Sequence, residues 1–176
     1  MLFPSGAASN PDGELCMPAD YTIYWKPDAV RTIDGRPLRY AASNQLDAVC
    51  LGDRLWVITV DEGNLVVAGS ITIGTLTGRE GAEILLGPDD LWPARYYAIA
   101  RAGTEMNARR MPGDAIAGDL RFDSAIADRL TLVDGKVDGR QFQTMRKLRS
   151  ASVKLLEELL GLAEGQPGAL TEQLRS

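Results

Sequence analysis

The stretch Arg54–Ile73, RLWVITVDEGNLVVAGSITI, determines the class of fold that this 176-residue chain adopts. Two runs of apolar and β-branched residues flank the turn sequence Asp61–Asn64, which is the pattern of a β-hairpin. From Ser70 to Ile73 polar and apolar residues alternate, so this arm has one polar and one apolar face. Gly69 and Gly74 indicate bulges or a tightly curved sheet, as in a small barrel.

Three further strands are expected around this hairpin. Tyr21–Trp25 is aromatic and β-branched, and Pro27 ends it. Arg95–Arg101 has a similar composition and is a further strand. Arg129–Val133 runs into the turn sequence Asp134-Gly135 and is expected to be the last strand of the domain.

The chain also predicts three helices. Asn44, followed by an acidic residue three positions later, is expected to cap a short helix that stops at Gly52. A second helix is predicted over Arg140–Leu148. The third begins at Ser150 as its N-cap and reaches Leu160, with leucines on one stripe and a glycine following as C-cap.

The expected fold is therefore α+β, a small curved mixed β-sheet or barrel with short helices and two C-terminal helices. One domain accounts for the length, because domains usually span about 100 to 200 residues. We place it at residues 21–163. Residues 1–20, rich in Pro, Gly, Ser and Asn, are expected to form an extended or disordered tail, and residues 164–176 a C-terminal tail.

Composition restricts the cellular setting and the partners. The chain has no signal-like N-terminus and no run of about 18 apolar residues, so we expect neither secretion nor a membrane span. Cys16 and Cys50 do not form a CxxC pair, and both thiols are expected to be free in a reducing cytoplasm. The net charge of −5 argues against indiscriminate binding of polyanions, although Arg140–Lys154 contains five basic residues and no acid.

The absence of histidine removes most side-chain catalysis. Histidine-dependent triads, zinc sites of the HExxH type and histidine acid–base chemistry are excluded. A magnesium nuclease remains conceivable from Pro88-Asp89-Asp90 and Asp134-Gly135-Lys136, but both fall in turn sequences, which is the favoured interpretation. Ser150 and Lys154 lie in the first turn of a helix, where capping explains the serine better than catalysis does. No phosphate-binding loop or dinucleotide motif occurs, and no cofactor is expected.

Aromatic side chains are more suggestive. Seven of them fall between Tyr24 and Tyr97, and aromatic faces stack unpaired bases at roughly 1 to 3 kcal/mol each. Core packing is nevertheless the more frequent role for any single one. The basic run likewise has two interpretations, a phosphate-contacting surface or the solvated face of packed helices.

The order of these segments resembles the EVE domains of the PUA-like superfamily over about residues 21–101. The similarity lies in the aromatic strand Tyr21–Trp25, the Gly52-Asp53 turn that leads into a central strand, and the small-residue strand Val67–Ile73. The resemblance implies a small curved barrel with helices at its ends. It also implies recognition of nucleic acid without catalysis, often through a modified base held in an aromatic pocket.

Carried over by position, the resemblance places Trp25, Ser43 and Asn44 in the pocket, with Trp56 as wall or core. EVE domains usually carry an Arg-Asn pair before the short helix, and here Arg39-Tyr40 stands near that place. The full set of predicted ligand-binding residues is Tyr24, Trp25, Arg39, Ser43, Asn44 and Trp56.

Three functional hypotheses follow, in order of preference. The first is a non-enzymatic domain that binds DNA or RNA through this pocket and a basic surface. The predicted phosphate-binding residues are Arg140, Arg146, Lys147 and Arg149, with Arg95, Arg101, Arg109 and Arg110 as further contacts. The second is a protein-interaction module that docks on a partner through the helix Ser150–Leu162. The third is the metal-dependent nuclease.

Overall fold

The predicted hairpin forms the centre of the structure, a computed structural model that describes residues 16–89 and 91–162. The strands are β1 (Asp20–Tyr24), β2 (Tyr40–Ser43), β3 (Arg54–Asp61), β4 (Asn64–Thr77), β5 (Tyr96–Ala100), β6 (Met111–Pro112), β7 (Leu132–Val133), β8 (Lys136–Val137) and β9 (Arg146–Lys147). The helices are α1 (Pro27–Ile33), α2 (Arg79–Leu86), α3 (Asp114–Ala117) and α4 (Ser150–Leu160), with a 3₁₀-helix at Gly139–Phe142. The fold is α+β, as predicted.

One mixed sheet organises these elements. Its strand order in the described part of the chain is β2-β5-β4-β3-β1-β9, and β6 pairs with β4. β1 runs parallel to β3, and the other pairs are antiparallel. The sheet is not closed into a barrel, since β2 and β9 occupy its two ends. β7 and β8 form a separate small hairpin.

The central strand β3 is buried on both faces, which explains its nearly unbroken apolar sequence. Successive side chains of a strand point to opposite faces, so Leu55 and Val57 join one core and Trp56 and Ile58 another. The first core contains Trp25 of the segment that follows β1. The second core lies beneath α4 and the loops around it.

Both predicted bulges are confirmed. The β3–β4 register shifts next to Gly69, which has a φ of 151°, and the β4–β5 register shifts between Ile73 and Thr75. At Gly74 a Cβ atom would lie 2.6 Å from the Cα of Arg101, so only glycine allows the two backbones to approach. These two glycines therefore bend the long strand β4.

Two predicted helices are wrong. Residues 44–52 form turns, because the Asn44 side chain accepts a hydrogen bond from the Arg95 backbone N–H instead of capping a helix. Residues 140–148 form the end of the 3₁₀-helix and then β9, which supplies hydrogen-bond partners to the edge of β1. Pairing with a sheet edge outweighs the helical pattern of this short segment.

Several boundaries also differ from the prediction. Pro27 begins α1 as its first residue instead of only ending a strand, a position that suits proline because the missing N–H needs no partner there. The predicted strand over residues 129–133 is reduced to β7, and its turn at Asp134-Gly135 is confirmed. α4 starts at Ser150, but the N-cap position is Arg149 and no side chain caps it.

Cys16 and Cys50 form a disulfide with a Cα–Cα distance of 6.5 Å, so the prediction of free thiols is wrong. The two cysteines meet because the buried carboxylate of Asp53 accepts hydrogen bonds from the backbone N–H groups of Ala19 and Cys50. These two hydrogen bonds, which we call the Asp53 clamp, hold residues 16–19 against the turn before β3.

The cytoplasmic location was inferred from free thiols. The disulfide removes that support, and the location remains a prediction. Of the tail predicted for residues 1–20, residues 1–15 lie outside the described residues, and β1 begins at Asp20. The C-terminal tail predicted for residues 164–176 also lies outside the described residues.

Candidate functional site

A cleft of about 260 Å³ lies at the β2 end of the sheet. Its walls come from the end of α1, the connection to β2, the end of α2 and the segment before β5. The lining residues are Trp25, Thr32, Ile33, Arg36, Pro37, Leu38, Arg39, Tyr40, Leu86 and Trp92. The cleft is therefore partly aromatic and carries positive charge without a lining carboxylate.

Two tryptophans form its aromatic part. The ring centroids of Trp25 and Trp92 are 4.7 Å apart, with the planes tilted by 60°. Trp25 is buried and Trp92 is half-buried. The backbone of Trp92 is fixed on both sides, because its N–H donates to the Tyr40 hydroxyl at 3.2 Å and its carbonyl accepts from the Tyr97 hydroxyl at 2.6 Å. Trp92 thus presents a ring to the cleft from a rigid backbone.

The indole N–H of Trp25 is buried and has no hydrogen-bond partner within the described residues. The hydroxyl of Thr59 is also buried and has no hydrogen-bond partner within the described residues. Tyr24 pairs with Ile58 in the parallel β1–β3 ladder, so the next residues along, Trp25 and Thr59, are neighbours on one face. An unsatisfied buried polar group costs about 1 to 3 kcal/mol, and a ligand acceptor that reached the indole N–H would remove that cost.

Arg36 and Arg39 supply the charge. Both are exposed, and neither has an ion-pair partner in residues 16–89 and 91–162. Arg54, by contrast, bonds Asp20 and Glu157; burial lowers its pKa, but these hydrogen bonds and charges outweigh burial and raise it. The cleft arginines are thus available to an anionic ligand, whereas Arg54 is committed to structure.

The structure brings together only two of the predicted ligand-binding residues, Trp25 and Arg39. Ser43 is the last residue of β2 and Asn44 follows it, and both lie outside the lining of this cleft. The Ser43 hydroxyl accepts from the Gln45 backbone N–H at 3.1 Å, and the Asn44 carbonyl oxygen accepts from Arg95 at 2.9 Å. These two side chains stabilise turns.

Trp56 and Tyr24 face the opposite side of the sheet from Trp25, and neither lines the cleft. Of the two roles predicted for Trp56, wall or core, the structure has the core role. Trp56 is fully buried in the second core, and its indole N–H donates to Asp20 at 2.8 Å. Tyr24 packs against the same core. Trp56 lies in β3, and Trp25 directly follows the neighbouring strand β1. Because successive side chains of a strand alternate between faces, the two rings lie on opposite faces of the sheet.

The basic run does not form a single acid-free surface in space. Arg146 stacks over the Phe122 ring at 3.7 Å and donates to the Ala127 carbonyl, and burial lowers its pKa. Lys147 lies 3.5 Å from Asp123. Arg140 and Arg149 are exposed, on the 3₁₀-helix and at the start of α4.

β9, which carries Arg146 and Lys147, is at the end of the sheet opposite to β2. The basic run and the cleft are therefore separate in the strand order.

The four arginines predicted as further phosphate contacts also differ in their surroundings. Arg95 stacks on Tyr96 at 5.2 Å, Arg109 donates to the Leu160 carbonyl at 3.3 Å, and Arg110 pairs with Asp61. Arg101 is exposed and has no ion pair within the described residues, and it lines a groove next to the cleft. Of these four, Arg101 is the one placed beside the cleft without a carboxylate partner.

Sequence reasoning did not assign Trp92 and Arg36 to the site. Trp92 is 67 positions from Trp25 in the chain, and no local pattern links them. Arg36 follows α1, which was not predicted because Pro27 was interpreted as a strand end. A proline followed by Asp28 in what becomes the first helical turn was the available signal for α1.

The other two functional hypotheses lose the observations that suggested them. The leucines of α4 face inward, with Leu156 and Leu160 buried in the second core, so the helix packs on its own chain. Among residues 16–89 and 91–162 no group of three metal-ligating side chains occurs. Asp134 lies in the β7–β8 turn, and Asp90 is outside the described residues.

No helix in the described ranges is long and apolar enough to cross a membrane. Comparisons of the chain with protein-family models, with curated proteins and with solved structures find no match.

Proposed function

We propose that this protein is a non-enzymatic nucleic-acid-binding module that accepts one unstacked base in the cleft beside Trp25 and Trp92. The observation that carries the proposal is the pair of tryptophans next to Arg36 and Arg39, two cations without carboxylate partners among the described residues. Aromatic rings and guanidinium groups are the side chains on which proteins stack single bases.

The dimensions of the cleft favour a small ring system. Its volume of about 260 Å³ falls below the range of roughly 300 to 1,000 Å³ that is usual for drug-sized ligands. The two tryptophan rings are already in contact, which leaves no room for a base between them. The base therefore stacks on the accessible face of Trp92.

The charge distribution supports local, moderate binding. A net charge of −5 repels a polyanion at long range, so the attraction comes from local cations such as the cleft arginines. Binding of this kind weakens with salt in proportion to the few phosphates contacted.

The resemblance to EVE domains of the PUA-like superfamily is part of the proposal, including selectivity for a modified base and the curved, barrel-like sheet. Three features are in keeping with it. Trp25 directly follows the first strand, Arg39 lines the same cleft, and the Gly52-Asp53 turn leads into the central strand β3. The register shifts at Gly69 and Gly74 support a curved sheet, because a bulge bends the strand that carries it.

Fluorescence anisotropy with short single- and double-stranded DNA and RNA, with and without modified bases, tests the proposal. Trp92→Ala should weaken binding by about 1 to 3 kcal/mol, the value of one stacked base, and Arg39→Gln should reduce both affinity and salt dependence. Arg129→Gln is the matched control, because it removes the same charge from an exposed arginine outside the lining of the cleft. Equal affinity of wild type and Trp92→Ala for every bound oligonucleotide would refute the cleft as the binding site.

A further inference from the structure

A second depression adjoins the cleft and shares Arg39 and Leu86 with it. Its volume is about 380 Å³, and its lining includes Thr75, Ile99 and Arg101. We call it the Arg101 groove. The cleft and the Arg101 groove therefore have a common wall.

Three residues whose side chains carry hydrogen-bond donors line the Arg101 groove: Arg39, Thr75 and Arg101. None of these three side chains has a hydrogen-bond or ion-pair partner within residues 16–89 and 91–162. Glu105 also lines the groove, but its carboxylate accepts the Gly103 backbone N–H at 2.8 Å and does not pair with either arginine. The donors are therefore open to an anion.

The backbone holds the two arginines in a fixed relation. The Ala100 backbone N–H donates to the Arg39 carbonyl at 2.9 Å, and the Arg101 backbone N–H donates to the Thr72 carbonyl at 2.8 Å. Gly74 packs against the Arg101 backbone so closely that any side chain there would clash. A fixed backbone reduces the part of the ordering cost of binding that comes from backbone motion.

We propose that the Arg101 groove binds the backbone phosphate next to the base held in the cleft, so that the ligand is a nucleic-acid strand and not a free nucleotide. This inference rests on the proposed function of the cleft. Arg39 bridges the two sites, and Arg101 contacts only the strand.

The test compares nucleoside monophosphates with single-stranded tetranucleotides of the same base, in DNA and RNA form. Quenching of tryptophan fluorescence reports occupancy of the cleft for both ligands. The variants are Arg101→Gln and the control Arg129→Gln, an exposed arginine that lines neither depression. Wild type should bind the tetranucleotide several-fold more tightly than the monophosphate.

Arg101→Gln should lower tetranucleotide affinity about two- to five-fold, the range for one exposed ion pair. It should also reduce the slope of log K against log salt by about 0.7, the value for one phosphate contact on a single strand. Monophosphate binding should stay unchanged, as should every value for Arg129→Gln.

Two results would overturn the inference, and they are distinguishable. If Arg101→Gln and wild type bind the tetranucleotide equally while both bind the monophosphate, the groove is not a phosphate site but the cleft still binds bases. If neither ligand quenches wild-type fluorescence, the proposed function of the cleft fails together with the inference.

Discussion

Removal of the Cys16–Cys50 disulfide should destabilise the domain by several kcal/mol. The bond closes a loop with a sequence separation of 34 residues, and that loop contains eight of the ten residues that line the cleft. In the chain-entropy relation, closing 34 residues removes about 12.6 cal/mol/K from the unfolded state, which is about 3.8 kcal/mol at 25 °C. This is a large share of the roughly 5 to 15 kcal/mol that stabilises a typical domain.

Urea unfolding followed by far-UV circular dichroism, with and without reductant, measures the difference. Reduced wild type and the Cys16→Ser variant should both lose about 3 to 4 kcal/mol relative to oxidised wild type. The matched control is Cys16→Ser itself, whose stability should not respond to reductant. A loss below about 1 kcal/mol would refute the entropic argument, and two titratable thiols in the native, untreated protein would refute the disulfide.

Three further predictions concern stability. Leu156→Ala should cost about 2 to 5 kcal/mol, because Leu156 is fully buried in the second core, whereas Lys154→Ala on the exposed side of α4 should change little. Asp53→Ala should cost roughly 2 to 4 kcal/mol, since two buried N–H groups lose their acceptor, and Asp53→Asn should cost less because one acceptor remains. Burial and the charge of Asp53 raise the pKa of Tyr21, so stability should fall as pH rises above the unfolded value of 10.0, and Tyr21→Phe should lessen that fall.

The same denaturation experiment checks all three. Unfolding of Leu156→Ala and Lys154→Ala at the same urea concentration would mean that α4 is not part of the core. Equal stability of Asp53→Ala and wild type would mean that the Asp53 clamp does not stabilise the turn before β3. An identical alkaline profile for Tyr21→Phe and wild type would contradict the raised pKa of Tyr21, because the variant has no group to titrate there.

The sequence alone was sufficient where neighbouring residues determine the structure. The β3–β4 hairpin, its turn, the strand β1, the bulges at Gly69 and Gly74 and the helix α4 follow from periodicity, turn residues and glycine placement. These signals act over fewer than about 15 residues, within the range in which side chains and backbone constrain each other directly. The α+β class follows from the same local patterns.

The tertiary structure decided which of these elements meet and which side chains share a site. Trp25 joins Trp92 instead of Trp56 because the strand period sends neighbouring aromatics to opposite faces, and the packing of distant segments chooses the partner. The basic run gains acidic and aromatic neighbours from other segments, and residues 140–148 pair with β1 because a sheet edge leaves N–H and C=O groups that need partners. Burial and hydrogen-bond satisfaction are properties of the whole chain, so no window of the sequence contains them.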